Sequence, residues 1–122
     1  MKNILLVEDE EGLINIVDSV LRDEGYEVNK SLSAEEALLF CQIYKPDLII
    51  CDVLMGEMNG FVMLEKLKAS ERLREVPFIF LTAFDATEDK KKGLGLGADA
   101  YITKPFDLDD LLRTVLRLVP PA

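Results

Sequence analysis

Three carboxylates, a threonine and a lysine stand at the ends of short apolar runs in this chain. Ile4-Leu5-Leu6-Val7 ends in Glu8-Asp9, Leu48-Ile49-Ile50-Cys51 in Asp52, Phe78-Ile79-Phe80-Leu81 in Thr82, and Tyr101-Ile102-Thr103 in Lys104-Pro105. As parallel strands of one sheet, these runs bring their carboxyl ends to a single edge, where open α/β sheets bind ligands. Acids gathered there repel one another. Two like charges about 4 Å apart cost on the order of 4 kcal/mol at an effective dielectric of about 20. The cluster therefore calls for a cation, and oxygen-only ligands suit a hard divalent ion, Mg2+ first, with Mn2+ as the alternative. A nucleotide-binding fold would place glycines or hydroxyls where this chain has Glu8-Asp9-Glu10-Glu11, so an unassisted phosphate is repelled. With a cation bound, Asp52 can act as a nucleophile toward a phosphoryl group. Lys104 supplies a point charge and Thr82 a hydroxyl for the phosphoryl oxygens, over which the transition state spreads charge. The phosphoryl donor must come from outside. A helix N-terminus enriched in acids explains Glu10 and Glu11, but not an Asp52 that ends a different apolar run.

The elements that hold these residues alternate along the chain. Leu13, Ile14, Val17, Val20 and Leu21 recur at helical spacing, and Gly25 follows as a stop signal. A weaker strand spans about residues 27–31. Ser33-Ala34-Glu35-Glu36 reads as a capping box opening a helix with Ala37, Leu38 and Cys41 inward. Phe61, Leu64 and Leu67 form one stripe after Gly60. Asp85-Ala86-Thr87-Glu88 reads as a second capping box, for a helix reaching about Leu96. Asp107 caps a last helix with Leu108, Leu111, Leu112, Val115 and Val119 buried, and Phe106 and Leu111 form a hydrophobic staple. The pattern is (βα)5. Near-continuous apolar strands fit a parallel sheet covered on both faces, a doubly wound, flavodoxin-like three-layer sandwich. Strand order 2-1-3-4-5 is favoured because it sets strands 1 and 3 side by side at the switch point, bringing Glu8-Asp9 to Asp52.

Composition narrows the function. The 122 residues make one domain, 1–122, with 49% hydrophobic residues and a net charge of −9. Such acidity argues against direct nucleic-acid binding, which needs basic patches. Lys90-Lys91-Lys92, the one basic run, reads as a solvated helix face. Cys41 and Cys51 read as core residues without metal-ligand spacing. No signal-peptide pattern or membrane-length apolar run is present, so a cytoplasmic protein is expected. The chain has no His, which removes histidine acid–base chemistry.

Four motifs carry a resemblance that covers essentially the whole chain: Val7-Glu8-Asp9-Glu10, Cys51-Asp52-Val53-Leu54-Met55-Gly56-Glu57-Met58-Asn59-Gly60, Leu81-Thr82-Ala83 and Gly97 through Phe106. Together and in this order they resemble the receiver domain of two-component response regulators. The resemblance implies that Asp52 is the phosphoacceptor, taking its phosphoryl group from a partner sensor histidine kinase or phosphotransfer protein. It implies Asp9 and Asp52 as Mg2+ ligands, with the Leu54 carbonyl as a backbone ligand and Glu8 acting through a water. Lys104 and Thr82 bind the phosphoryl group, Tyr101 turns inward when Thr82 moves, and the Lys104-Pro105 bond is cis. It also implies a switch rather than an enzyme, catalysing only its own phosphorylation and slow self-dephosphorylation. The output is a downstream effector or a covalently linked domain, with dimerisation through the fourth helix, fifth strand and fifth helix open to it.

The chain departs from the family pattern at Gly56, where proline is usual and a looser loop is expected, and at Glu8, where Asp is commonest. Leu54 and Phe84, two residues beyond Asp52 and Thr82, flank the site and are expected to slow water's access to the phosphoryl group. Gly93 and Gly95 lie in a helical pattern. Each costs about 1 kcal/mol relative to Ala, so the fourth helix is either a labile switch element or a place of close backbone packing. An aspartyl-phosphate phosphatase usually carries a second Asp two residues after the nucleophile, where this chain has Leu54. A receiver that no longer uses phosphorylation would have lost the acidic pair, Asp52 or Lys104, and all are retained.

Overall fold

The structure, a computed structural model, describes residues 1–121. Strands and helices alternate as β1 (Asn3–Val7), α1 (Glu11–Asp23), β2 (Glu27–Ser31), α2 (Ala34–Ile43), β3 (Leu48–Cys51), α3 (Gly60–Lys68), β4 (Phe78–Thr82), α4 (Thr87–Gly95), β5 (Ala100–Thr103) and α5 (Leu108–Leu118). The strands pair in parallel in the order β2-β1-β3-β4-β5. β1 lies between β2 and β3, with Val7 opposite Cys51, as the acidic ends of the two runs require.

Alternation along the strands explains the layers. Ile4, Leu6, Leu48, Ile50, Ile79 and Leu81 face one side, where they pack with Ile14, Val17 and Leu21 of α1 and Leu111 and Val115 of α5. Leu5, Val7, Ile49, Cys51, Phe78 and Phe80 face the other, against Ala34, Ala37 and Cys41 of α2 and Phe61, Met63, Leu64 and Leu67 of α3. Both faces of the central strands are dry, which is why these strands are apolar throughout. Each large side chain so buried contributes about 1.5–3 kcal/mol relative to exposure.

Two aspartates lock the sheet at the edge opposite the candidate site. Asp47 takes the Asn3 N–H on its carboxylate at 2.7 Å and returns its own N–H to the Asn3 carbonyl at 2.8 Å. Asp99 does the same with Phe78, at 2.9 and 2.8 Å. Each begins a crossover's return to the sheet and fixes the register of the strand that follows.

The caps read from the sequence form at α2 and α5 but not at α4, and α1 starts after its N-cap Glu10 without a side-chain cap bond. Ser33 accepts the Glu36 N–H and Asp107 the Asp109 N–H. At α4 the N-cap is Ala86, with no side-chain cap bond. Asp85 sits one residue too early, so the second capping box does not form. Gly56 adopts φ +60°, a left-handed conformation that proline's ring forbids and glycine adopts freely. It therefore sets a different turn rather than merely loosening the loop. The Lys104-Pro105 bond is cis.

Candidate functional site

The strand ends deliver the functional residues through one further rung of each backbone ladder. Glu8 N–H donates to the Ser31 carbonyl at 3.0 Å, Asp52 N–H to Val7 at 3.1 Å, and Lys104 N–H to Thr82 at 2.8 Å. Each residue is thus tied to the last residue of the neighbouring strand, and its side chain emerges at the sheet's carboxyl edge. Behind Asp52 the fit is tight. A Cβ on Gly60 would lie 2.5 Å from the Asp52 carbonyl oxygen and 3.0 Å from the Phe80 ring. Gly60 also donates to the Val53 carbonyl at 2.7 Å, so the start of α3 backs directly onto Asp52. The Cys51 thiol donates to the Asp52 carbonyl. It is fully buried, and burial pushes its pKa well above the ordinary thiol value, so Cys51 is a core residue and not a nucleophile.

Lys104 bridges two buried carboxylates. Its Nζ lies 2.9 Å from Glu8 Oε1 and 2.9 Å from Asp52 Oδ2. Glu8 is only 2% exposed, and its second oxygen accepts the N–H groups of Asp9 and Glu10 at 3.2 Å. Burial raises the Glu8 pKa, although the Lys104 hydrogen bond and the Glu10 amide pull against it. Burial pulls Lys104 down, but its hydrogen bonds to Asp52 and Glu8 outweigh that effect and raise it. The ammonium is held charged by the acids around it. Asp52 Oδ1 accepts the Leu54 N–H at 3.2 Å.

Thr82 and Tyr101 are joined through the main chain of Phe84. The Thr82 hydroxyl oxygen, wholly buried, accepts the Phe84 N–H at 3.2 Å, and the Tyr101 hydroxyl donates to the Phe84 carbonyl at 2.7 Å. The Tyr101 ring packs on Phe80, centroids 5.6 Å apart, and under α4, where a Cβ on Gly93 would fall 2.8 Å from it. Lys92, the preceding residue, sits over the Phe61 ring at 4.7 Å. Close packing is therefore the reason for Gly93, whereas Gly95 faces open space. The roles of Gly60 and the Phe84 main chain escape a reading by residue type, because each acts through backbone or through a missing side chain, whereas close packing at Gly93 is one of the two readings its sequence left open. Leu54 is 63% exposed, while Phe84 packs partly against the core.

The sequence profile of the response regulator receiver domain matches residues 4–116. The chain belongs to that family. Over 118 residues it is 37% identical to the response regulator Rre1 of Synechocystis, covering 96% of this chain and 51% of Rre1. The chain spans about half the length of the curated relatives it matches. Among solved structures, the chemotaxis response regulator CheY4 of Vibrio cholerae superposes with a TM-score of 0.90 at 33% identity, covering 98% of this chain and 99% of CheY4. The receiver domain of the sensor histidine kinase PA1611 from Pseudomonas aeruginosa gives a TM-score of 0.87 at 30% identity, covering 96% of each chain, and holds a magnesium ion in its active-site cleft.

The donor set of this receiver fits such an ion in chemistry, but the three acids are less converged than their sequence spacing suggests. Among the described residues, no three acidic, histidine or cysteine side chains are gathered closely enough to hold a metal. Lys104 stands between Glu8 and Asp52 and pairs with both, its single positive charge offsetting one of their two negative charges. Glu8, with both oxygens taken by N–H and ammonium donors, is the least available of the three. Asp9 is exposed, and Asp52 keeps acceptor capacity beyond its bonds to Lys104 and Leu54. Hard oxygen donors at adjoining strand ends are what Mg2+ needs.

Proposed function

We propose that this receiver is a phosphorylation-activated switch, with Asp52 accepting a phosphoryl group from a phosphohistidine on a sensor kinase or phosphotransfer protein. A carboxylate oxygen of Asp52 attacks phosphorus. The P–N bond of the donor breaks, and its electron pair returns to the imidazole, which takes up a proton from solvent. The observation that carries the reading is the Lys104 ammonium 2.9 Å from Asp52 Oδ2, a fixed positive charge beside the nucleophile. Asp9, Asp52 and the Leu54 carbonyl would hold Mg2+, with Glu8 acting through a water, and the bound ion would supply the further positive charge that phosphoryl transfer requires.

Phosphorylation places nearly two negative charges where one stood. Lys104 then gains a stronger partner than Glu8, and the Thr82 hydroxyl gains an acceptor if it leaves the Phe84 turn. Because Phe84 also holds Tyr101, movement of Thr82 reaches Tyr101 and the underside of α4. An open groove of about 510 Å3 lies beside Lys104, lined by Leu13, Ile16, Pro105 and Phe106. It offers a donor protein an apolar seat next to the acceptor. The output is a downstream effector or a linked domain of the kind that makes up the other half of its longer relatives.

Acetyl phosphate with Mg2+ tests the assignment. The wild-type protein is expected to gain one acid-stable, hydroxylamine-labile phosphoryl group, and Asp52→Asn to gain none. Labelling that persists in Asp52→Asn would move the acceptor elsewhere.

A further inference from the structure

The outward face of α2 is an apolar strip with opposite charges at its two ends. Leu39 and Ile43, one turn apart, are both more than half exposed, as are Leu32 just before the helix and Tyr44 just after it. Among the described residues no other helix exposes two large apolar side chains one turn apart. Poor packing is not the cause, because the inward face of α2 is already filled by Ala34, Ala37 and Cys41. Single exposed leucines carry no message, but a contiguous strip of them does. Glu35 and Glu36 occupy the first turn, Lys45 follows the last, and the Arg72 guanidinium docks on the Cys41 and Tyr44 carbonyls at that same end. These four charges cancel, and Glu27, which lines the hollow at the far end of α2, adds one negative charge, on a chain whose net charge is −9. A second copy is repelled far more by the protein as a whole than by this face.

We propose that this face packs against its own counterpart on a second copy, with the two α2 helices antiparallel about a two-fold axis. The charge pattern selects that arrangement. Antiparallel helices set Glu35 and Glu36 of each copy against Lys45 and Arg72 of the other, whereas parallel ones oppose like charges. A two-fold lying across the helix also keeps the β2 side of one copy against the β2 side of the other while exchanging their ends. Leu32, which follows β2, then meets the hollow of about 450 Å3 that Phe40, Tyr44, Asn29 and Pro46 line at the far end of α2. A knob thus faces a hollow twice, as closed two-fold symmetry requires. Ten helical residues per copy make a contact at the small end of specific interfaces, so the dimer is weak and reversible. It uses no part of the phosphoacceptor site, and it lies away from the α4–β5–α5 side of the sheet.

Sedimentation velocity on the unphosphorylated protein, from about 10 µM to about 1 mM, tests this. The weight-average mass is expected to rise toward that of a dimer. Leu39→Glu, an exposed site whose folding circular dichroism can verify, is expected to weaken association by more than about tenfold. Glu36→Lys and Lys45→Glu alone are each expected to associate less than wild type, and an equimolar mixture of the two to regain association. A mass that stays monomeric throughout overturns the proposal. So does a dimer indifferent to Leu39→Glu, which would place the contact on another face, and so does a mixture that associates no better than its components.

Discussion

Lys104 sets the charge balance of the site at the scale of single residues. Two carboxylates buried side by side are tolerated because one ammonium serves both. The proposed phosphoryl transfer would use the same lysine without a large rearrangement, since its ammonium already lies 2.9 Å from Asp52 Oδ2. Tyr101 is the second such residue. Burial, with the charges of Asp89, Asp52 and Asp85 adding to it, pushes its phenol from 10.0 up to about 12. A raised folded-state pKa means that the neutral phenol favours the fold. That contribution is complete below pH 10 and is lost as pH climbs through about 12. Tyr101→Phe should therefore cost about 0.5–1.5 kcal/mol at neutral pH, the worth of the bond to Phe84, and the gap to wild type should shrink across that alkaline window in denaturant melts. A gap that stays constant with pH contradicts this. At the mouth of the site, Leu54 and Phe84 offer water no hydrogen-bonding partner from their side chains. The phosphoryl group is expected to outlive that of a Leu54→Asn, Phe84→Glu double variant, as followed by loss of label in Mg2+ buffer, and equal or longer survival in the variant would contradict the shielding.

Among the elements, α4 is the least secured. It has no side-chain N-cap, carries two glycines and buries only Gly93 along its length. It is held by the seat of Gly93 on Tyr101 and Phe80 and by Lys92 on Phe61. The two glycines should respond with opposite signs. Gly95→Ala meets open space and should stabilise by about 0.4–1 kcal/mol through helix propensity and a stiffer unfolded chain. Gly93→Ala should destabilise by about 1–3 kcal/mol, because its methyl must displace the Tyr101 ring. Thermal melts and amide exchange across residues 87–95 check both, and two changes of the same sign would show that helix propensity alone governs α4. If Thr82 shifts as proposed, an element of low local stability beside Tyr101 is where that shift would be amplified.

The whole molecule is acidic, and its site adds to the imbalance. A cation held at Asp9 and Asp52, as proposed, would bind the folded state alone and raise its stability by mass action. Millimolar Mg2+ is expected to raise the melting temperature of wild type, EDTA to reverse the rise, and the Asp9→Asn, Asp52→Asn double variant to show none of it. A rise that survives in the double variant would point to general screening of negative charge instead. Among the described residues, no helix is long and apolar enough to cross a membrane.

Local patterns in the sequence were enough to determine the order of elements, the three-layer sandwich and the residues that close each strand. Strand alternation, helical stripes and caps such as Ser33 and Asp107 depend only on near neighbours, whereas strand order does not follow from the pattern alone and was favoured for setting strands 1 and 3, and so Glu8-Asp9 and Asp52, side by side. Asp85 shows where that reading stops, since a cap motif displaced by one residue looks the same in sequence and bonds nothing at the helix start. Tertiary structure alone decided that Lys104 reaches Glu8, 96 residues away, while Asp9 stays exposed. It alone separated Gly93 from Gly95, and gave Asp47 and Asp99 their place as clamps at the far edge of the sheet. The reason is reach: such contacts depend on how side chains of fixed length meet across packed elements, and no spacing along one chain encodes that distance.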